Sequence, residues 1–299
     1  MEKVLVIIGP TAVGKTALSI KMAKKFNGEI INGDSVQVYR SLDIGSAKIK
    51  PEEMEGIPHH LLDILEPTES FSVADFQKLV RQKIKEITNR GNLPIIVGGT
   101  GLYIQAALYD FRFEDPGRND EYTSIYNEIS NEELHQLLMN IDPDEASKTH
   151  PNNRRRILRA LEIHAHLNKT KTELLALQKH ELLYDVFIIG LDMERKQLYD
   201  RINKRVDQMM QDNLPEEVYS LYQKGIKVNA IGYKEFYDYF EGKKTLVEVI
   251  NEIKKNTRRY AKRQLTYFRN KLPVNWFNLE NVSADIIMKQ VEDWLHKRG

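Results

Sequence analysis

Residues 4–16 read VLVIIGPTAVGKT, and this stretch decides the fold. The apolar run Val4–Ile8 is short and rich in β-branched residues, as a buried strand is. It runs into Gly9, four further residues, then Gly14, Lys15 and Thr16, the spacing of a phosphate-cradling loop. Gly9 and Gly14 let the backbone turn so that successive N–H groups point inward at anionic oxygens. Lys15 adds a charge, the Thr16 hydroxyl suits Mg2+, and a helix starting there aims its positive dipole end at the anion. Gly9, Pro10, Thr11, Ala12, Val13, Gly14, Lys15 and Thr16 are therefore the expected phosphate cradle. Nothing in the loop itself says which phosphate it holds.

Outward from the loop, strand and helix signals alternate. Lys15–Phe26 has helical spacing at Leu18, Met22 and Phe26, and Glu29–Asn32 is a brief second strand. Val73–Asn89 carries Phe76, Leu79, Val80, Ile84 and Ile87 on one helical stripe, and Pro94–Val97 is a third apolar run closed by Gly98-Gly99-Thr100-Gly101. This order predicts an α/β fold: a parallel sheet flanked by helices, like that of P-loop nucleoside triphosphatases. Near residue 112 the pattern changes. FRFEDPGRND, residues 111–120, is polar with turn signals, and from Asn131 to about His180 only helical periodicity is visible. DVFIIGLD, residues 185–192, restores a buried strand. The expected organisation is a core of residues 1–112 and 185–299 interrupted by an all-helical insertion at 113–184. The C-terminal region is helical and ends in an amphipathic helix bearing Val282, Ile286, Ile287, Val291 and Leu295.

The chain has 299 residues, 41% of them hydrophobic, and a net charge of +1. It can bury a sizeable core, and any polyanion-binding surface must come from local clustering. The absence of cysteine excludes disulfides, thiol catalysis and zinc thiolate sites. No apolar run approaches the ~20 residues of a membrane span and no signal-peptide pattern opens the chain, so a soluble cytoplasmic protein is expected.

A nucleoside triphosphatase usually has a later apolar strand that ends in Asp and serves the Mg2+ shell. Here that strand ends PIIVGGTGLY, without an acid, and the acid follows the second strand instead, in NGDSVQVYRSLDIGSAK. Ligands bind at strand C-termini in open parallel sheets, so Asp34 should lie near the phosphate loop with Thr100 on the next strand end. The alternative for Asp34-Ser35 is a helix cap. Further along, Lys254, Lys255, Arg258, Arg259, Lys262, Arg263, Arg269 and Lys271 lie in a stretch free of acids from Ile253 to Leu279, with Tyr260, Tyr267 and Phe268 interleaved. Such a stretch can hold a phosphate backbone and stack bases; a solvated face is the alternative. A second cluster, Arg154, Arg155, Arg156 and Arg159, sits in the insertion. Arg201 and Arg205 share a helix face, as an anion clamp or as ion-pair partners. His59 and His60, being adjacent, point apart and make no metal pair.

Taken together, GPTAVGKT, DSVQVYRSLDIGSAK, IVGGTGLY, HPNNRRRILRALEI, DRINKRVDQMM, AIGYKE and TRRYAKRQLTYFR resemble, in order, the motifs of bacterial tRNA dimethylallyltransferases, from residue 4 to about 270. Ser46, Asn153, Asn213 and Tyr267 depart mildly from that pattern. The resemblance implies transfer of a dimethylallyl group from dimethylallyl diphosphate to N6 of the adenosine beside the anticodon, tRNA position 37. It also implies Mg2+ as cofactor, the phosphate loop holding diphosphate with Mg2+ on Thr16, and Asp34, Thr100 and Arg205 as catalytic residues, with Asp34 a base of ordinary pKa. It further implies tRNA contacts from Asp34, Ser35, Val36, Gln37, Thr100, Arg155, Arg159, Gly232, Tyr233, Lys234, Arg259 and Arg263, with the anticodon stem-loop as partner, no membrane, and a monomer. The alternative from another class is a P-loop small-molecule kinase using ATP.

Overall fold

The computed structural model describes residues 1–113 and 124–297; the turn-rich reading of residues 111–120 falls, from 114 on, outside the described residues. Six strands form one sheet in the order β3-β2-β4-β1-β5-β6: β1 (Lys3–Ile8), β2 (Gly28–Asn32), β3 (His59–His60), β4 (Leu93–Gly98), β5 (Asp185–Asp192) and β6 (Asn275–Asn278). All five pairings are parallel. An all-parallel sheet needs both faces covered, and Val4–Ile8 is accordingly fully buried. The covering helices include α1 (Lys15–Phe26), α2 (Val73–Asn89) and α3 (Gly101–Leu108).

The strand order puts β4 between β2 and β1, with Ile8 beside Gly98 and Asn32 beside Val97. The loops leaving β1, β4 and β2 thus emerge side by side from one sheet edge. At that edge a Cβ on Gly98 would lie 2.2 Å from the carbonyl oxygen of Gly33. Only glycine lets the two strand ends approach so closely.

The chain divides into two units, Met1–Leu108 with Leu182–Gly299, and Tyr109–Glu181. Among its described residues the second carries α4 (Asn131–Ile141), α5 (Pro143–Ser147), α6 (Arg154–Leu167) and α7 (Lys171–Ala176) around Leu134, Leu138, Ala146, Ile157, Ala160 and Leu161. Its limits lie a few residues from 113–184 because its two ends pair. The Asp110 N–H donates to the Glu181 carbonyl, and the Asp110 carboxylate accepts the N–H groups of Lys179 and Glu181.

The first unit continues through α8 (Arg195–Gln211), α9 (Leu214–Gln223), the single turn α10 (Tyr237–Phe240), the long α11 (Leu246–Lys271) and α12 (Ala284–His296). Beyond the sheet core, a second apolar cluster gathers Leu42, Val206, Leu214, Val218, Tyr233, Phe236, Val249 and Ile253. In α12, Ile287, Val291 and Trp294 are buried whereas Ile286 is 52% exposed. This corrects the expected stripe by one position.

Candidate active site

The phosphate loop has the backbone that its glycines anticipate: Gly14 takes φ 111°, and Ala12 turns left-handed at φ 66°. Val13 drops its side chain into the sheet core, anchoring the loop from below. The Lys15 ammonium donates to the carbonyls of Gly9 (3.0 Å) and Pro10 (2.8 Å), so it folds over its own loop. Burial, with the nearby Arg205 cation, lowers Lys15 to about 8, and the Asp34 charge opposes that shift. The Arg205 guanidinium points at the same loop, 3.4 Å from the Thr11 hydroxyl, while Arg201, one turn earlier, is exposed. Arg205 thus takes the clamp position and Arg201 does not.

Asp34 and Thr100 come together at the sheet edge. The Thr100 hydroxyl accepts the Ser35 N–H at 3.2 Å and its own N–H reaches the Gly33 carbonyl at 3.3 Å. One Asp34 carboxylate oxygen accepts the Val36 N–H at 2.8 Å. That bond closes a local turn, and residues 33–48 contain no helix for Asp34 to cap. The carboxyl is not of ordinary pKa. Burial raises it, against the lowering effects of the Val36 N–H, the Lys15 cation and the Gln37 N–H.

Residues 34–48 form a loop held from behind. Both oxygens of the Glu217 carboxylate are engaged: one accepts the N–H groups of Asp43 and Ile44, the other the N–H of Gly45 and the Tyr233 hydroxyl, at 2.7–3.1 Å. Tyr233 is fully buried, and a Cβ on Gly45 would lie 2.5 Å from its ring. The expectation that Tyr233 faces tRNA is therefore corrected: its side chain is core. Gly232 is buried beside it, and only Lys234 of that trio is exposed. Gln37 likewise turns inward, its amide donating to the carbonyls of Ser46 and Ala47.

Two residues of α11 that sequence reasoning did not place in the site belong to it. Gln264 bonds Thr11 and Gly99 at once. The Tyr260 hydroxyl lies close to the side chains of Thr100, Gln264 and Asp34; burial is the main cause that pushes it up to about 12. Tyr260 is a neutral hydroxyl at the acceptor edge, not the exposed stacking ring its interleaving with arginines suggested.

The basic residues sort by their partners. Arg258 donates to Asn203 at 2.6 Å and packs over Tyr199, Lys254 pairs with Asp207, and Arg269 pairs with Asp192. Arg259, Lys262 and Arg263 are exposed and line, with Thr266, Tyr267, Asn270 and Lys271, an open groove of about 530 Å3. In the insertion, Arg154 donates to the carbonyls of Tyr126 and Ile129, Arg156 pairs with Glu145, and Arg159 pairs with Glu162. Of that cluster Arg155 is exposed at the first turn of α6. His59 and His60 are structural, bonded to the Ile57 carbonyl and the Glu29 carboxylate.

Among the described residues no three carboxylate or histidine side chains converge on a metal position. The exposed Thr16 hydroxyl at the head of α1 fits Mg2+ held chiefly by phosphate oxygens and water, which is how that ion usually binds.

A family model described as IPP transferase matches residues 37–271. The chain belongs to the IPP transferase family. It is 58% identical to a tRNA dimethylallyltransferase of Anoxybacillus flavithermus over 299 residues, covering 99% of this chain and 96% of that one. It is 56% identical to one of Bacillus cytotoxicus, covering 93% and 90%. Among solved structures, a tRNA isopentenylpyrophosphate transferase of Staphylococcus epidermidis matches at TM-score 0.75 and 44% identity, over 100% of both chains. A eukaryotic dimethylallyltransferase acting on tRNA matches at TM-score 0.86 and 30% identity, over 100% of this chain and 81% of that one.

Proposed function

We propose that this chain is a prenyltransferase acting on tRNA: it moves a dimethylallyl group from dimethylallyl diphosphate to N6 of the adenosine at position 37, beside the anticodon, and releases diphosphate. The observation that carries the reading is the pairing, at one sheet edge, of a phosphate loop with an acid, Asp34, on the β2 end rather than the β4 end. A γ-phosphate transferase needs its acid for metal and nucleophile. Here the acid stands beside Thr100 and Tyr260, where an acceptor base fits.

The chemistry follows from the residues. N6 attacks the allylic carbon, the N–C bond forms, the C–O bond breaks, and its electron pair leaves on diphosphate. The loop N–H groups, Lys15 and Arg205 meet that growing charge in a site already polarised for it. Mg2+ on Thr16 and the diphosphate would supply further charge neutralisation. The N6 proton goes to Asp34. A raised carboxyl pKa brings the base closer to working pH, where general-base catalysis is most effective. Thr100 and Tyr260 offer hydroxyls to orient the amine. The adenine must leave its stack to reach them, and the walls of the Asp34–Gln37 turn would receive it. The exposed cations Arg259, Lys262 and Arg263, with Arg155 and Lys234, would meet tRNA phosphates. No helix among the described residues is long and apolar enough to cross a membrane, and we take the enzyme to work as a monomer in the cytoplasm, where its substrate is.

The test is to incubate the protein with labelled dimethylallyl diphosphate and Mg2+, offering bulk tRNA, AMP or ATP. Label in tRNA alone is the expected result. Label in AMP or ATP would move the acceptor to free nucleotides. No label, with γ-phosphate lost from ATP, would favour the kinase.

A further inference from the structure

Gly99 lacks the positive φ of the loop glycines, yet a side chain there would collide with a neighbour. A Cβ there would lie 2.1 Å from the Gln264 amide nitrogen, with the nearest backbone atom 3.9 Å away. Gln264 alone denies Gly99 a side chain. It sits in the middle of α11 at 5% exposure, where a carboxamide is costly unless bonded. It is bonded on both sides and to two different loops. Its Oε1 accepts the Thr11 N–H at 3.1 Å, and its Nε2 donates to the Gly99 carbonyl at 3.0 Å.

We propose that Gln264 is a positioning residue that locks the phosphate loop to the β4 end and so fixes the separation between the diphosphate cradle and the acceptor edge at Thr100 and Asp34; this rests on the prenyl-transfer reading. The lock requires an acceptor and a donor on one rigid planar group. Glutamate keeps the size but loses the donor, and its charge would face the Gly99 carbonyl. The step is sensitive to this separation, because N6 must meet a carbon whose leaving group is held by the loop. A misplacement of ~1 Å can cost ~10²-fold in rate. Gly99 is the second half of the lock, small so that the amide can reach its carbonyl. The helix that bears Gln264 also bears Arg259, Lys262 and Arg263, so one rigid element carries the lock and the RNA-facing cations.

The test compares Gln264→Ala, Gln264→Glu, Gly99→Ala and the double variant Gly99→Ala/Gln264→Ala, with labelled dimethylallyl diphosphate and tRNA. Gln264→Ala and Gln264→Glu should slow single-turnover transfer by ~10–10²-fold while the dissociation constants for donor and tRNA stay close to wild type. Gly99→Ala should slow it similarly by evicting the amide. The double variant should be no slower than the slower single one, because both changes break the same lock. Multiplying effects, or a wild-type rate in Gln264→Ala, would overturn the proposal. A second readout does not need the reaction. Hydrogen exchange of the Thr11 amide should accelerate in Gln264→Ala, which removes its acceptor, while the amides of β1 stay protected, which also shows that the variant is folded. An unchanged Thr11 rate overturns the lock. If the wild-type protein moves no prenyl group to tRNA, the functional reading falls by itself and Thr11 exchange still decides the lock.

Discussion

The two loops that face each other across the site are built in different ways. The phosphate loop makes most of its own shape, with Gln264 added from a distance at Thr11. Its turns come from Gly14 and Ala12, its lysine bonds its own carbonyls, and its end is the start of α1. The acceptor loop, residues 34–48, has internal bonds too, such as Ala47 N–H to the Ile44 carbonyl and the Gln37 amide to the Ser46 and Ala47 carbonyls, but it also leans on residues far along the chain. Its own Lys48 bonds the Tyr39 carbonyl and pairs with Asp43 and Asp63, while from a distance Glu217 lies beneath three successive N–H groups and Tyr233 under Gly45. A loop stabilised by short-range contacts can be read from a motif. A loop stabilised by residues about 180 positions away is legible only through its chemistry, here an acid at a strand end.

That contrast can be broken in order of effect. The largest should come from Asp34→Asn, which keeps the Val36 turn but cannot accept the N6 proton. Turnover should fall by at least the ~10²-fold of a lost general base, with donor affinity nearly unchanged. Near-normal turnover would remove Asp34 as the base. Lys15→Ala should do the reverse, weakening the donor by ~10–10²-fold, as loss of a hydrogen bond to a charged group does, with tRNA affinity intact. The sign of its pH dependence follows from its lowered pKa. The free-enzyme lysine is cationic below about 8, so donor affinity should fall as pH rises through that value, and the step should vanish in Lys15→Ala. Titration of donor binding from pH 7 to pH 9 checks both. Because burial disfavours the charged lysine, the same shift predicts that Lys15→Met raises the melting temperature of the ligand-free protein.

The acceptor loop is broken from a distance. Glu217→Gln replaces a carboxylate that serves four donors and should cost about 2 kcal/mol of stability. Hydrogen exchange in residues 39–48 should accelerate and the KM for tRNA should rise, while donor affinity stays fixed. If the donor site loosens equally, the two loops are not independently supported. The smallest effects separate the two arginine clusters. Arg259→Gln with Arg263→Gln should flatten the slope of log K for tRNA against log salt by roughly 1–2 units. Arg156→Gln with Arg159→Gln should leave that slope alone and instead destabilise the protein, because Glu145 and Glu162 are each nearly buried beneath their arginines.

Several elements stood in the sequence with their limits. The runs at 15–26, 73–89 and 185–192 are the helices and strand that the structure contains, because each carries its full periodicity or an unbroken apolar core. β3 and β6 did not, being two and four residues long and partly polar; their pairing with β2 and β5 makes them strands. The candidates Asp34 and Thr100 were legible because strand ends place them without tertiary knowledge, whereas Arg205 entered through the family resemblance, its spacing with Arg201 leaving clamp and ion pair both open. Tyr233, Gln37 and Arg159 are of types that suit RNA, but the structure turns them to partners within the protein, Glu217 under Tyr233, the Ser46 and Ala47 carbonyls beside Gln37, and Glu162 beside Arg159; Arg155 stays exposed. Gln264 left one signal, a polar residue at a position of α11 flanked one turn away by Ala261 and Phe268, both buried. Nothing local pointed to its two partners.

The central claim is that the half-buried Asp34 carboxylate beside the phosphate loop takes the acceptor proton, and the pH dependence of single-turnover transfer tests it most directly. Burial lifts the Asp34 carboxyl above the ordinary carboxylate value of 3.8, and only its ionised form can act. At saturating donor and tRNA, the rate should therefore climb as pH rises through a midpoint above that value, and this acid limb should be absent from the residual activity of Asp34→Asn. An acid limb that persists with the same midpoint in Asp34→Asn would contradict the account.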